Sequence, residues 1–208
     1  MSTDYSEDRL IQKSAAELME TELGWTSIYA YDKEVLGENG TFGRNSFHEV
    51  LLTQRFRLAL KKLNPWINDK QIAEAIERMT ERMSSQTLMQ INEQKYQFIR
   101  DGIPVTRIKP DGTSEEIKAV VIDFENIDNN DFLCVRELWI YGALYRRRAD
   151  IVGFVNGIPL LFVELKNHNV EVENAFNENY RDYLAIHPAG STRQYQSCRQ
   201  TSFHATFL

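Results

Sequence analysis

The sequence predicts an α/β or α+β domain, with a central mixed sheet flanked by helices. The 208 residues are 42% hydrophobic and 26% charged, which is typical of a globular domain. Most of the first hundred residues carry the apolar spacing of helices, and after Gly102 the spacing changes to the alternation of strands. Strands and helices that share one core form layered domains.

Helical spacing predicts a first helix over 6–23, with Leu10, Ile11, Leu18 and Met19 on its apolar face. A short aromatic strand and a glycine-rich loop follow. An additional helical segment, at about 46–101, completes the first half of the domain. Its three helices are predicted at 46–63, 68–82 and 86–100.

The second half predicts two hairpins with a single strand between them. The strands are expected at 103–108, 116–124, 132–141, 149–155 and 158–166, and a helix at 172–186. The last hairpin turns at Asn156-Gly157, a strong two-residue hairpin signal. We expect an endonuclease domain over 1–187. Residues 188–208 contain no Asp, Glu or Lys and are expected to be a disordered or artificially added tail.

The net charge of −6 indicates no global attraction to nucleic acid, although a basic cleft can still bind it. No stretch approaches the ~20 apolar residues of a membrane span, and the acidic start lacks a signal-peptide pattern. Two cysteines fit no metal or disulfide framework. These features favour a soluble, cytoplasmic protein.

Asp150, Glu164 and Lys166 flank the apolar hairpin at the end away from its turn. Glu164 and Lys166 leave the same face of a strand, so Val163 and Leu165 are expected to point into a core. Two carboxylates can bind Mg²⁺, and a lysine beside them can orient or deprotonate the attacking water. The sequence therefore predicts a phosphodiester-cutting centre, with Asp150 and Glu164 as metal ligands.

Strand parity tests this hypothesis. A regular hairpin with a two-residue turn would place Asp150 opposite Val163, facing away from Glu164 and Lys166. The active-site hypothesis therefore predicts an irregular hairpin, with a bulge or longer loop near Gly157 or Pro159.

Other charged residues are weaker candidates. Arg146, Arg147 and Arg148 would contact phosphates beside a nuclease centre, or else form a solvated strand end. Glu7 could approach the metal from the first helix, or be a charge in that helix's first turn. The helix expected after the hairpin could line a DNA groove, although a docking helix would look similar.

Several segments resemble the PD-(D/E)xK nuclease signature as it occurs in the restriction (motor) subunit of type I restriction–modification enzymes. The resemblance covers about 5–187 and extends beyond the hairpin. Its segments are Arg148-Ala149-Asp150-Ile151-Val152, Phe154 to Leu160, Glu164-Leu165-Lys166-Asn167, Leu23-Gly24-Trp25, Leu63-Asn64-Pro65, Gly102-Ile103-Pro104-Val105, Asn129-Asn130-Asp131-Phe132 and Ala175-Phe176-Asn177.

The resemblance implies a restriction-endonuclease-like fold and Mg²⁺-dependent cleavage of double-stranded DNA. It also implies a complex with methyltransferase and specificity subunits. Recognition lies in a separate subunit of that family, so this chain does not reveal the DNA target sequence. An ATP-driven translocase belongs to the full-length subunit, but this chain has no Gly-x-x-x-x-Gly-Lys-Ser/Thr motif. The chain is expected to be a nuclease module that cuts poorly alone.

This sequence departs from the family pattern at two positions near the motif. Ala149 replaces the signature's proline, and Asn179 with Tyr183 has the spacing of the family's Gln-x-x-x-Tyr motif, with Asn for Gln. Glu178 with Asp182 is another register for that motif. Two other hypotheses stay open: a non-catalytic docking or DNA-binding module, and a free-standing nuclease of the same superfamily in repair or recombination.

Overall fold

A computed structural model describes residues 7–81, 86–142 and 146–165, and it confirms the mixed α/β fold. Within these ranges, helices dominate the first hundred residues and strands the remainder. The elements are α1 Glu7–Leu23, β1 Thr26–Tyr29, α2 Thr53–Leu63, α3 Asp69–Thr80, α4 Leu88–Asp101, β2 Ile103–Ile108, β3 Ser114–Ala119, a 3₁₀ turn at Ile127–Asn129, β4 Phe132–Tyr141, β5 Arg146–Val155 and β6 Ile158–Val163.

The main sheet has the strand order β1-β4-β5-β6. The β1 and β4 strands are parallel, whereas β4–β5 and β5–β6 are antiparallel, so the sheet is mixed as predicted. The β2 and β3 strands form a separate antiparallel hairpin whose turn contains Gly112 at φ 82. The main sheet carries the candidate site, at the end of the β5–β6 hairpin that lies away from its turn.

Helices and loops cover the main sheet from different sides. Ala16 of α1 packs on Cys134 and Ile151. A second cluster joins Leu52 and residues of the preceding loop to β4 and β5. The largest cluster joins α2, α3 and α4 to the β2–β3 hairpin and the turn end of β5–β6. The sheet is thus supported by helices, as a layered domain requires.

The β5–β6 hairpin is irregular, which confirms the parity prediction. Its turn residues Asn156 and Gly157 have φ 53 and φ 81, the positive values that tight two-residue hairpin turns need. Phe154 pairs with Pro159, but Gly153 pairs with Leu161, so one extra residue lies between the two pairs. This bulge at Leu160, beside the proline, shifts the register of everything further from the turn.

The helix predicted to begin at residue 46 begins at Thr53 instead. Residues 46–52 are a loop because their backbone groups bond to the sheet. The Tyr141 N–H donates to the Phe47 carbonyl over 2.9 Å, and the Leu52 N–H donates to the Gly157 carbonyl over 2.9 Å. A continuous helix would need those groups for its own ladder.

The strand predicted over 116–124 ends at Ala119. The buried Asn64 side chain takes over there, accepting from the Val120 N–H and donating to the Val120 carbonyl, both over 2.8 Å. A side chain thus replaces a partner strand.

Asn156 is fully buried at the turn, and its side chain is fully used. Its Oδ1 accepts from the Asp131 N–H over 2.7 Å. Its Nδ2 donates to the Val121 carbonyl and to Asn130 Oδ1, both over 2.8 Å. The Asn156 side chain therefore joins the turn by hydrogen bonds to the segment after β3, at Val121, and to the loop before β4, at Asn130 and Asp131.

No helix in the described ranges is long and apolar enough to cross a membrane. The helix predicted at 172–186 and the tail at 188–208 lie outside those ranges.

Candidate active site

Asp150 lies in β5, six residues before the turn. The ladder pairs Ile151 with Val163, and continuing that register places Asp150 opposite Glu164, the first residue after β6. The Leu165 N–H donates to Asp150 Oδ2 over 2.7 Å. The bulge has thus brought two predicted carboxylate residues to opposing positions.

Gln12 of α1 holds the same carboxylate from another direction. Gln12 Nε2 donates to Asp150 Oδ1 over 3.0 Å, and Gln12 is only 4% exposed. Sequence reasoning missed this residue because it assigned the apolar face of α1 to Leu10, Ile11, Leu18 and Met19. The Ile11 and Leu18 side chains are 41% and 60% exposed, so the assignment was wrong for those two. Met19 packs against the cluster of Ala16, Cys134 and Ile151, as predicted.

The inward face of α1 carries Gln12, Ala15, Ala16 and Met19, at helical spacing. A polar residue aligned with small apolar ones was the signal available in the sequence. A glutamine is suited to this inward position because the Asp150 carboxylate lies within hydrogen-bond distance of it. A partly buried charge needs a donor, and an apolar side chain there would leave Asp150 Oδ1 without this hydrogen bond.

A second irregularity lies between β4 and β5. Their ladder pairs every residue from 132 to 141 except Glu137, whose register partner is Asp150. Glu137 has φ 59, a backbone conformation rare for residues other than glycine. The apolar side chains of β4 change phase there, because Leu133 and Val135 share one cluster with Leu138 and Ile140. Alternation alone therefore does not determine where Asp150 points, whereas its hydrogen bonds to Gln12 and to the Leu165 N–H hold it in place.

The chain after β6 follows the predicted pattern as far as it is described. Val163 and Leu165 pack into the core with Ile151, as expected, and Glu164 is partly buried. Lys166 lies outside the described residues, as do Asn179 and Tyr183. Glu7 is the first residue of α1, but its side chain is not among those described.

The arginines before Asp150 lie along β5 opposite β4. The Arg148 guanidinium carbon is 4.8 Å from the Tyr31 ring centre and 5.7 Å from that of Trp139. Arg148 also forms an ion pair with the buried Glu137. Arg146 stacks on Trp139 at 5.5 Å, and Arg147 pairs with Ile140 in the ladder. The structure thus places cations directly beside the carboxylate end of the hairpin.

Comparisons with known proteins identify the family of the chain. The family model described as type I restriction enzyme R protein N terminus matches residues 4–196. The chain belongs to this family. It is 32% identical over 170 residues to the type I restriction enzyme HindI endonuclease subunit of Haemophilus influenzae. The matched segment covers 78% of this chain and 16% of that protein.

A putative type I restriction enzyme MjaIXP endonuclease subunit from Methanocaldococcus jannaschii is 27% identical over 179 residues. That match covers 84% of this chain and 16% of the relative. The chain therefore spans about 16% of the length of these curated relatives.

In this member of the type I restriction R protein N-terminal family, the donor chemistry fits a hard divalent cation. No group of three or more His, Cys, Asp or Glu residues in the described ranges is placed to hold a metal ion. Mg²⁺ keeps several waters, so two carboxylates and a backbone carbonyl suffice for it. The Asp150 carboxylate, held by Gln12 and the Leu165 N–H, is a hard oxygen donor of the kind that Mg²⁺ prefers.

Proposed function

We propose that this chain is the nuclease module of a type I restriction enzyme and cuts double-stranded DNA with Mg²⁺ held by Asp150 and Glu164. The support comes chiefly from the Leu160 bulge, which puts these two residues at opposing positions. A hairpin built for packing alone has no need of this shift, whereas the hypothesis required it in advance. Family membership supports the restriction role independently.

Each protein group has a definable task in phosphodiester hydrolysis. Asp150 and Glu164, with a backbone carbonyl near Leu165, would hold Mg²⁺. The ion would offset charge on the phosphoryl oxygens and lower the pKa of a bound water. Gln12 and the Leu165 N–H keep Asp150 oriented, which limits the reorganisation needed when substrate binds. Lys166 would orient or deprotonate the attacking water and offset developing negative charge.

In the complete enzyme, we infer that this module acts with an ATP-driven translocase and with methyltransferase and specificity subunits. The chain spans about 16% of its curated relatives, so most of that machinery lies elsewhere. The isolated chain should therefore bind metal but cut DNA slowly, and its cleavage sites should show no sequence preference. Rapid cutting by the isolated chain would instead favour a free-standing nuclease of the same superfamily.

The test combines metal binding with DNA cleavage. Titration calorimetry with Mn²⁺ and Mg²⁺ should show a site that Asp150→Asn and Glu164→Gln each weaken by at least about 100-fold. Lys166→Ala should keep metal binding and lose cleavage of a supercoiled plasmid. Asp128→Asn is the matched control, because Asp128 is an exposed carboxylate in the 3₁₀ turn. Equal metal binding by wild type, Asp150→Asn and Glu164→Gln would refute the proposed centre.

A further inference from the structure

A group of stacked cations and rings lies beside Asp150, and it extends beyond Arg146 and Arg148 of β5. We call it the cationic track. Arg136 is 5.3 Å and Lys33 5.7 Å from the centre of the Tyr29 ring. The track consists of Lys33, Arg136, Arg146 and Arg148 together with Tyr29, Tyr31 and Trp139.

The track is continuous across three strands. Tyr29 of β1 pairs with Arg136 of β4, and Trp139 of β4 pairs with Arg148 of β5. The rings of Tyr29 and Tyr31 are stacked with centres 6.0 Å apart and an interplanar angle of 12°. Because Arg148 contacts both Tyr31 and Trp139, it joins the two halves.

Two other stacked cations in the described ranges are each paired with a carboxylate. Arg44 over Phe47 is ion-paired with Glu34, and Arg100 over Tyr96 is ion-paired with Asp101. Both of those cations are therefore neutralised where they stand.

In the described residues, by contrast, no carboxylate pairs with Lys33, Arg136 or Arg146; Arg148 pairs with Glu137. The four cations of the track and the Glu137 carboxylate sum to +3, or to +2 when the neighbouring Asp150 is counted, on a chain whose total is −6. A positive region is therefore maintained at this end of an acidic protein.

We propose that the cationic track binds the phosphodiester backbone of one DNA strand and leads it to Asp150. Rings hold the guanidinium groups flat, so their N–H edges are ordered before a phosphate arrives. Arg148 lies two residues before Asp150, and Arg136 pairs with Ile151, the next residue along β5. The track therefore ends at the candidate metal ligand. That the polyanion is DNA rests on the proposed function.

DNA binding can be measured without cleavage. The full 208-residue chain is titrated into a fluorescein-labelled duplex of about 20 base pairs in EDTA, and anisotropy is recorded between about 50 and 200 mM salt. Lys33→Gln, Arg136→Gln and Arg146→Gln should each weaken binding about 3- to 10-fold. Each should also reduce the slope of log K against log salt by about 1.

Two control variants remove a cation away from the track. Arg100→Gln removes a guanidinium that is also stacked on a ring, and Lys70→Gln removes an exposed lysine of α3. Both should bind DNA like wild type. Tyr29→Leu keeps every charge but removes the ring under Arg136 and Lys33, so affinity should fall while the salt slope stays unchanged. Tyr29→Phe should restore binding.

The outcomes distinguish the track from the metal centre. Three results would each contradict DNA binding by the track. They are wild-type affinity in the three glutamine variants, losses of affinity in the two controls as large as in those variants, and no DNA binding by the wild-type protein at about 50 mM salt. If those results accompany normal metal binding at Asp150, the proposed nuclease centre still stands. If DNA binding depends on the track but Asp150→Asn does not alter metal binding, the track stands and the metal centre falls.

Discussion

The two ends of the β5–β6 hairpin both bury polar side chains, but they use them differently. At the turn, Asn156 makes three hydrogen bonds to neighbouring loops and is fully buried. About 20 Å away, six residues along β5, Asp150 accepts two hydrogen bonds and is partly exposed. The first group is a neutral amide that is completely enclosed, whereas the second is a carboxylate that is only partly buried.

Backbone irregularity follows the same division. The turn uses positive φ at two residues that tolerate it, Asn156 and Gly157. The other end carries positive φ at Glu137, along with a register shift at Leu160. Positive φ at a residue other than glycine or asparagine is a strained conformation that often accompanies functional sites. The turn end ties the hairpin to its neighbours, and we propose that the charged end positions groups for chemistry.

The largest effect is expected from Asn156→Ala, which should lower the free energy of unfolding by about 3 kcal/mol or more. The substitution leaves the Asp131 N–H and the Val121 carbonyl without their side-chain partner and puts alanine at φ 53. Urea denaturation measures the loss. The exposed Asn45→Ala is the control.

If Asn156 serves the fold alone, metal binding by the folded fraction should match wild type. A wild-type free energy of unfolding in Asn156→Ala, or a loss of metal binding without a loss of stability, would contradict this division of roles between the two ends.

Gly153→Ala should cost about 1–3 kcal/mol of stability. A Cβ at this position would lie 2.8 Å from Trp25 Cζ3 and 2.9 Å from Leu161 Cβ. Gly153 adjoins the register shift, so the close approach of Trp25 belongs to the bulged hairpin. Urea unfolding of Gly153→Ala, Trp25→Leu and the double variant checks the contact. Strictly additive losses would show that Trp25 does not restrict Gly153.

Gln12→Ala should reduce metal affinity about 10-fold, because a group that orients a metal ligand typically contributes 10- to 100-fold. Its effect on unfolding should be smaller than that of Asn156→Ala. Gln54→Ala is a matched control: its Nε2 donates to Glu38 Oε1 over 3.0 Å, far from Asp150. Calorimetric titration with Mn²⁺ compares the two. Equal Mn²⁺ affinities in Gln12→Ala and Gln54→Ala would show that Gln12 does not support metal binding.

The smallest expected effect is on the reactivity of the Cys134 thiol and on the pH dependence of stability. Cys134 is fully buried. Burial raises the pKa of its thiol from 9.0 to about 11. At pH 8, folded Cys198→Ser protein should therefore resist iodoacetamide, and urea should expose one reactive thiol. Because the folded pKa is the higher one, stability should fall as pH rises from about 9 to about 11. Fast labelling of the folded protein would contradict this burial.

The sequence predicted most elements because local signals were strong. The strands predicted at 103–108 and 132–141 and the Asn156-Gly157 turn appear with the predicted bounds. The irregular hairpin was also predictable, because parity and the chemistry of Asp150 and Glu164 conflict in a regular one. These inferences required only neighbours in sequence or a single pairing rule.

Features that depend on distant partners were not predictable in this way. Residues 46–52 have helical spacing, but Phe47 and Leu52 bond to the sheet. Glu137 looks like any polar residue of a strand until its φ of 59 is known. Gln12 has no sequence neighbour that explains it, because its partner lies 138 residues away.

That separation has a consequence for protein synthesis. The Asp150 carboxylate is held by Gln12, near the start of the chain, and by Leu165, fifteen residues after it. A nascent chain therefore cannot assemble this arrangement until α1, β5 and the residue after Glu164 have all emerged and docked. We expect chains that are unfinished or have lost α1 to bind metal poorly, and hence to lack the nuclease activity that we propose.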